Sequence, residues 1–307
     1  MYAFIVNPNA RSGLGIRIWR TLEEELKKEN IPYEIYFTHY KGHATEYAGQ
    51  ISETADSDPV TIVAIGGDGT IGEVLDGITD FSSVSFSYIP IGSGNDFAKS
   101  MGIHKDPMEC LRQILKGNKT MELNAGVSTF GKQKRTFAVS SGIGFDAEVC
   151  FHNDSSKVKQ LLNRLNLGKL SYTFVALKLL LGMHPTDASI TIDDKAPIHY
   201  KRVYFAAAMN QQYEGGGFKF CPKAKPDDGF LDLLVVENIS KLKILCVLPL
   251  AYLGGHVFFK GVHIFTCKKA QIVMEEPVAI HTDGEADHRE REVTFSLREE
   301  PIHFIYS

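Results

Sequence analysis

The chain has 307 residues, 44% hydrophobic and 23% charged, which excludes collagen-like, disordered and disulfide-scaffold classes. At this length about two domains are expected. With 33 basic and 37 acidic residues the net charge is −4, so no nucleic-acid partner is expected, although a local basic patch can still meet a membrane.

Residues 2–6 form a short apolar run that stops at Asn7-Pro8, a turn signal. The spacing of Ile18, Trp19, Leu22 and Leu26 predicts an amphipathic helix over 16–29. A strand over 33–37, a helix over 45–54, a β-branched strand over 60–65 buried on both faces, a helix over 72–78 and a strand over 84–91 follow. Strand-helix alternation predicts a parallel sheet with ligands at the carboxyl ends of its strands. After about residue 123 the rhythm changes. Strands are predicted at 127–129, 136–141, 188–192, 203–209, 231–236, 263–266, 271–274 and 293–297, with helices at 158–183 and 241–253. The expected fold class is α/β plus β: a Rossmann-like α/β domain over 1–123 and a β-sandwich domain over 124–298.

The apolar stretch 242–259 is interrupted by Lys243, Pro249 and Gly254-Gly255, and is expected to be a buried helix and turn rather than a membrane span. The amino terminus has no charged leader region, and the five cysteines form no C-x-x-C pair. A reducing, cytoplasmic setting is expected, with no disulfide framework or zinc site.

Four turns carry chemistry. Gly66-Gly67-Asp68-Gly69-Thr70 follows a buried strand and opens a helix. Glycines let backbone approach an anion, and the helix start offers unpaired N–H groups, so a phosphate is the natural guest. Asp68 beside a phosphate implies a bridging Mg²⁺; the plain alternative is an Asp-capped tight turn. Gly67-x-Gly69-x-x-Gly72 also fits the dinucleotide fingerprint, but the next strand ends in Pro90-Ile91-Gly92 without the acid that fingerprint needs. No P-loop motif is present.

The second turn is Gly92-Ser93-Gly94-Asn95-Asp96, also between strand and helix. Two such turns at neighbouring strand ends form one cleft. Ser93 offers a phosphate donor and Asp96 a second carboxylate. The third is Asn7-Pro8-Asn9-Ala10-Arg11-Ser12-Gly13, with backbone N–H groups and a cation; Thr45 after Gly42-His43-Ala44 is either a helix N-cap or a nucleotide contact. The fourth is Thr282-Asp283-Gly284-Glu285, a hairpin signal whose Glu285 is either an exposed turn carboxylate or a functional one. Asp228, within the turn 223–230, either holds a divalent ion or belongs to an ordinary turn. His43, His256 and His281 have no partners at ligand spacing.

Taken in order, these motifs resemble the bacterial soluble diacylglycerol kinase family, relatives of sphingosine and ceramide kinases. The resemblance covers essentially the whole chain. Gly-Gly-Asp-Gly-Thr alone is shared with NAD kinases, whereas Gly92 to Ala98 and the Gly215–Gly217 and Pro226–Gly229 segments favour the lipid kinase branch. The resemblance implies an ATP- and Mg²⁺-dependent kinase acting on a lipid hydroxyl, diacylglycerol first among the acceptors. It implies a cleft between two domains and a carboxyl-terminal return, over 299–307, to the first domain.

By position, Asn7, Pro8, Asn9, Ala10, Arg11, Thr45, Gly66, Gly67, Asp68, Gly69, Thr70, Ile71, Gly72 and Ser93 are implied nucleotide contacts. Glu285 is the implied proton acceptor, and Asp68 and Asp96 the Mg²⁺ and water network. Asp228 with the carbonyls of Lys225 and Phe230 is implied as a structural Mg²⁺ site. The chain departs from the family in having Ser93 for Thr, Leu14 for Lys, with Arg11 or Arg17 as substitutes, and Lys99 for Arg. A network Asp expected near the domain junction has only Glu122 and Asn124 as candidates. An NAD kinase-like phosphotransferase and a non-catalytic lipid or nucleotide sensor are the rival readings. The expected partner is a membrane lipid, met peripherally, with basic residues beside leucines over 157–183 as a core helix or an interfacial one. Pairing of two copies through an exposed sheet edge is left open.

Overall fold

The structure, a computed structural model, describes residues 1–55, 60–154 and 177–307. Most of the 157–183 stretch therefore lies outside the described residues.

The first domain alternates as expected: β1 (Tyr2–Val6), α1 (Ala10–Lys28), β2 (Tyr33–Phe37), α2 (His43–Thr54), β3 (Val60–Gly66), α3 (Asp68–Gly77), β4 (Val84–Pro90), α4 (Asp96–Met101), α5 (Pro107–Lys116) and β5 (Thr120–Leu123). β1 pairs in parallel with β2 and β3, and β3 with β4. β3 is buried along nearly its whole length, which is why it reads as a β-branched run. Two boundaries differ from expectation. α1 starts at Ala10 rather than 16, with Arg11 at φ 46° and Gly13 at φ 90° in its first turn. α3 starts at Asp68 rather than 72, because the glycine turn itself takes up helical geometry. α5 is bounded by local signals: Asp106 accepts from the Glu109 N–H, Pro107 opens the helix, and Gly117 closes it in the left-handed region.

The second domain is built from β6 (Gly126–Phe130), β7 (Gln133–Phe137), β8 (Ser140–Gly144), α6 (Phe145–Asp154), β9 (Thr186–Ile192), β10 (Ile198–Met209), β11 (Leu231–Glu237), α7 (Lys241–Ala251), β12 (Val262–Cys267), β13 (Lys269–Thr282) and β14 (Glu285–Leu297). Its strands pair antiparallel. The single strand expected over 136–141 is two, β7 and β8, turned at Ala138-Val139. β10 and β13 each pair with β9 over one half and with β8 over the other. Both have a register shift near the changeover. Bulges of this kind bend a strand, so one set of long strands supplies both layers of a β-sandwich-like domain. The chain then returns as β15 (Ile302–Ile305), parallel to β4 and antiparallel to β5, giving the first sheet the order β2-β1-β3-β4-β15-β5.

The expectation for 242–259 needs correcting. α7 is apolar beyond Lys241 and Lys243 in its first turn, yet within it only Val247 and Ala251 are buried. Leu242 is 73% exposed, and beyond the helix Leu253 is 83% and Phe258 89% exposed. Apolar composition marks a helix that avoids water, but it does not say what covers it. No helix among the described residues is long and apolar enough to cross a membrane.

Candidate active site

The carboxyl ends of β3 and β4 bring the two glycine turns together. The Ile91 N–H donates to the Gly66 carbonyl at 2.8 Å, and the Tyr88 hydroxyl donates to the same carbonyl at 3.1 Å. The turns touch so closely that a Cβ on Gly92 would stand 2.5 Å from Gly67 Cα. Glycine is required there for space. Gly66 packs on Thr70, whose Oγ1 would meet a Cβ at 2.2 Å.

Asp68 then ties one turn to the other. Its carboxylate accepts from the Asp96 N–H at 3.0 Å and the Phe97 N–H at 3.1 Å, satisfying the start of α4. Burial, with Asp96 and Asp283 as negative neighbours, nevertheless pushes its carboxyl up to about 7. Asp96 Oδ2 in turn accepts from the Gly216 N–H at 2.7 Å, and Lys99 Nζ donates to the Gly217 carbonyl at 3.1 Å. α4 thereby joins the first domain to the Gly215–Gly217 loop of the second, where all three glycines have positive φ.

The hairpin between β13 and β14 closes the other side. Asp283, at φ 48°, accepts three N–H groups, from Ala138 (2.8 Å), Val139 (2.8 Å) and Ser140 (3.0 Å). That cradle clamps the β7–β8 turn to the hairpin and holds Glu285 at its edge. A Cβ on Gly69 would lie 3.1 Å from Glu285 Oε1, and one on Gly72 would lie 2.8 Å from Asp283 Oδ2. These two glycines of the first motif thus admit the second-domain carboxylates, a role their spacing alone does not reveal. Lys41 Nζ stands 3.2 Å from Glu285 Oε2 and Arg135 Nη2 3.9 Å. Burial still dominates and holds the Glu285 carboxyl above the ordinary glutamate range, with Lys41 opposing it.

Beneath the hairpin lies a charged cluster. His281, fully buried, has Nε2 3.1 Å from Asp146 Oδ2 and 3.2 Å from Glu214 Oε1. Burial alone disfavours imidazolium, but Glu214 and Asp146 outweigh it and hold His281 at about 9. Sequence spacing gave His281 no partners; its carboxylates arrive from α6 and the loop after β10. The three donors lie within 4.8 Å of one another, a set that suits a divalent cation, yet His281 already compensates their charge.

The remaining expected residues are spread around the cleft. Asn7 and Pro8 are half-buried at the end of β1, Asn9 is exposed, Ala10 opens α1, and Arg11 and Ser93 are exposed. The Asn7 N–H donates to the Ile65 carbonyl at 2.9 Å, which fixes this loop beside the first glycine turn. Ile71 points into the core. The N-cap option for Thr45 is corrected: Gly42 is the N-cap of α2, and Glu73, unnoticed in the sequence, accepts from the Gly42 and Ala44 N–H groups. Neither junction candidate reaches the cluster. Glu122 pairs with His303 on β15 at 3.0 Å, and Asn124 accepts from the Gly229 N–H. The carboxylates that do stand with Asp68 are Asp96 and Asp283. In the turn 225–230, Lys225, Asp228 and Phe230 are exposed, and Asp228 Oδ1 accepts from the Phe230 N–H at 3.0 Å. A cavity of about 400 Å³ at the amino ends of β4 and β15, lined in part by Ser85, Glu122 and His303, shares no residue with the carboxylate cluster.

This two-domain fold with paired glycine turns has close relatives. Residues 1–124 match the diacylglycerol kinase catalytic domain, and residues 139–297 match the YegS C-terminal NAD kinase beta sandwich-like domain. The protein named "Putative lipid kinase YtlR" of Bacillus subtilis (strain 168) is 31% identical, with 92% of each chain covered. A diacylglycerol kinase of Staphylococcus saprophyticus is 26% identical over 92% of this chain and 87% of its own. Among solved structures, a diacylglycerol kinase from Bacillus anthracis str. Sterne aligns with a TM-score of 0.70 at 20% identity, covering 100% of this chain and 96% of that one. An NAD kinase from Archaeoglobus fulgidus in complex with ATP aligns at 0.55 and 14% identity, covering 99% and 93%. The last two likenesses show the fold. The matches define a kinase with an alcohol group as acceptor. The chain belongs to the diacylglycerol kinase family of lipid kinases.

Proposed function

We propose that the protein transfers the γ-phosphoryl group of ATP to the hydroxyl of a membrane lipid, with diacylglycerol as acceptor and phosphatidic acid as product. The observation that carries this reading is Glu285 beside Gly69, which sets a carboxylate against a turn suited to phosphates. Phosphoryl transfer asks a protein chiefly to position the groups and neutralise charge. The Gly66–Thr70 backbone and the Gly92–Gly94 turn with Ser93 cradle the phosphates, and the Asn7–Arg11 loop, with Thr45 at the start of α2, lines the nucleotide side.

Glu285 accepts the lipid hydroxyl proton as the oxygen attacks. Lys41 and Arg135 favour its ionised form against burial. Burial first, and then the neighbouring Asp96 and Asp283 carboxylates, raise the Asp68 pKa, and a divalent cation fits that group of carboxylates. Each Asp68 oxygen accepts one N–H and keeps a further lone pair, so Asp68 and the adjoining Asp96 would hold that cation and its water network. When bound, Mg²⁺ neutralises the charge that develops on the phosphates. A second cation at Asp228 and the Lys225 and Phe230 carbonyls completes the proposed ligand set, and the lipid is met peripherally, without a membrane span.

The test is transfer of labelled phosphate from Mg·ATP to a mixed lipid extract, with NAD⁺ in the same tube. Label in phosphatidic acid is expected. Label in NADP⁺ would instead assign the protein to soluble-acceptor chemistry.

A further inference from the structure

α7 and the turn after it expose an apolar surface with a definite pattern. Leu242, Cys246 and Leu250 are spaced i, i+4 and i+8, one stripe of α7, Leu253 follows in the turn beyond it, and all four are exposed. Val247 and Ala251, on the opposite side, are buried against the domain. The 3₁₀ turn Gly255–Phe258 extends the stripe, ending in Phe258, 89% exposed, and Tyr252 beside it is 48% exposed. Leu181, 61% exposed, adjoins the start of α7, because its carbonyl accepts from Lys241 Nζ at 2.7 Å. Contiguous exposed leucines and phenylalanines on a globular protein mark a binding surface.

The charges this stretch places beside the stripe are Lys241 and Lys243 in the first turn of α7 and Lys260 after the 3₁₀ turn. Lys269 stands beyond the far end of β12 and pairs with Asp194, and Glu237, whose N–H donates to the Gly261 carbonyl, pairs with His263. Lys243 Nζ donates to the Lys260 carbonyl at 3.4 Å and stands 5.9 Å from the Phe259 ring, which sets its ammonium beside the 3₁₀ turn. An apolar stripe beside Lys241, Lys243 and Lys260 complements an anionic bilayer, whose acyl region takes the side chains and whose headgroups take the ammoniums.

The surface is also connected to the reacting groups. Tyr252 stacks on Phe218 at 4.1 Å, Phe218 pairs with Glu214 across the three-glycine loop, and Gly216 of that loop donates to Asp96. We infer that the α7 stripe, from Leu242 through Leu253 to Phe258, is the surface that docks the enzyme on anionic membranes and presents the cleft to its acceptor. The inference rests on the reading of the acceptor as a membrane lipid.

The test is cosedimentation of the full chain with phosphatidylcholine vesicles, with and without phosphatidylglycerol, in the absence of ATP and diacylglycerol. Wild type is expected to partition to the anionic vesicles. L253S/F258S alters two solvent-facing side chains, so its melting temperature should match wild type while its partition coefficient falls roughly ten-fold or more. K243Q/K260Q should lose roughly five-fold per charge on anionic vesicles only. Undiminished binding by L253S/F258S would overturn the proposal, as would absence of wild-type binding. So would a wild-type dimer that L253S/F258S dissociates while vesicle binding stays unchanged, since the stripe would then be a self-interface. A wild type that docks through this stripe, but fails to phosphorylate dissolved short-chain diacylglycerol, would support the surface and reject the lipid kinase reading.

Discussion

Two regions of the molecule depart in opposite directions from the usual separation of polar surface and apolar interior. At the cleft, Asp68, Asp283, Glu214 and Glu285 are carboxylates drawn into the protein. At α7, Leu242, Leu253 and Phe258 are large apolar side chains left outside. The buried carboxylates are compensated from within: backbone N–H groups serve Asp68 and Asp283, His281 serves Glu214, and Lys41 serves Glu285. Among the described residues, nothing covers Leu242, Leu253 or Phe258. The first region holds its charges in a fixed hydrogen-bonded frame, whereas the second presents apolar surface to solvent.

The sharpest break of the first region is Glu285→Gln. Loss of the base is expected to lower kcat by about 10²–10⁴-fold, with the KM for ATP little changed, as steady-state kinetics would show. Next comes Gly92→Ala. Its Cβ would meet the Gly67 backbone at 2.5 Å, so the two turns must part. The expected result is loss of ATP binding by calorimetry and a stability cost of about 1–3 kcal/mol.

Asp283→Ala orphans three N–H groups at the clamp. It should destabilise the fold by about 3 kcal/mol in denaturant titration and lower kcat through displacement of Glu285. A smaller effect concerns pH. Asp68 rises from 3.8 to about 7 on folding, so between those values the folded state holds more proton than the unfolded one. Its contribution to stability is therefore fully present below pH 3.8 and is lost as pH rises through about 7. Thermal melts should show Mg·ATP stabilising the protein more at pH 8 than at pH 6, because the cation binds the ionised cluster.

How much of this was legible depended on where the information sits along the chain. The glycine turns were readable because β-branched strands, glycine and helix starts are local signals, and the two turns touch as expected at Gly67 and Gly92. The place of Glu285 beside Gly69 was foreshadowed only by the resemblance of its motif. The Asp283 clamp, the Glu73 cap of α2 and the His281 cluster were not, because their partners come from distant strands and loops. Glu122 and Asn124 lie near the domain junction in sequence, but β5 and the 226–229 turn carry them away from the cleft. α7 was misplaced for a different reason. An apolar helix packed in a core and one left at the surface share the same composition and period, and only the packed structure separates Val247 from Leu253.

The central claim is phosphoryl transfer to a lipid hydroxyl with Glu285 as the base. Its most direct test is recovery of label from γ-labelled Mg·ATP in chloroform-soluble phosphatidic acid, using diacylglycerol-containing vesicles and comparing wild type with Glu285→Gln. The account predicts abundant organic-phase label for wild type and a trace for the variant. No organic-phase label from wild type, or equal label from both proteins, would contradict it.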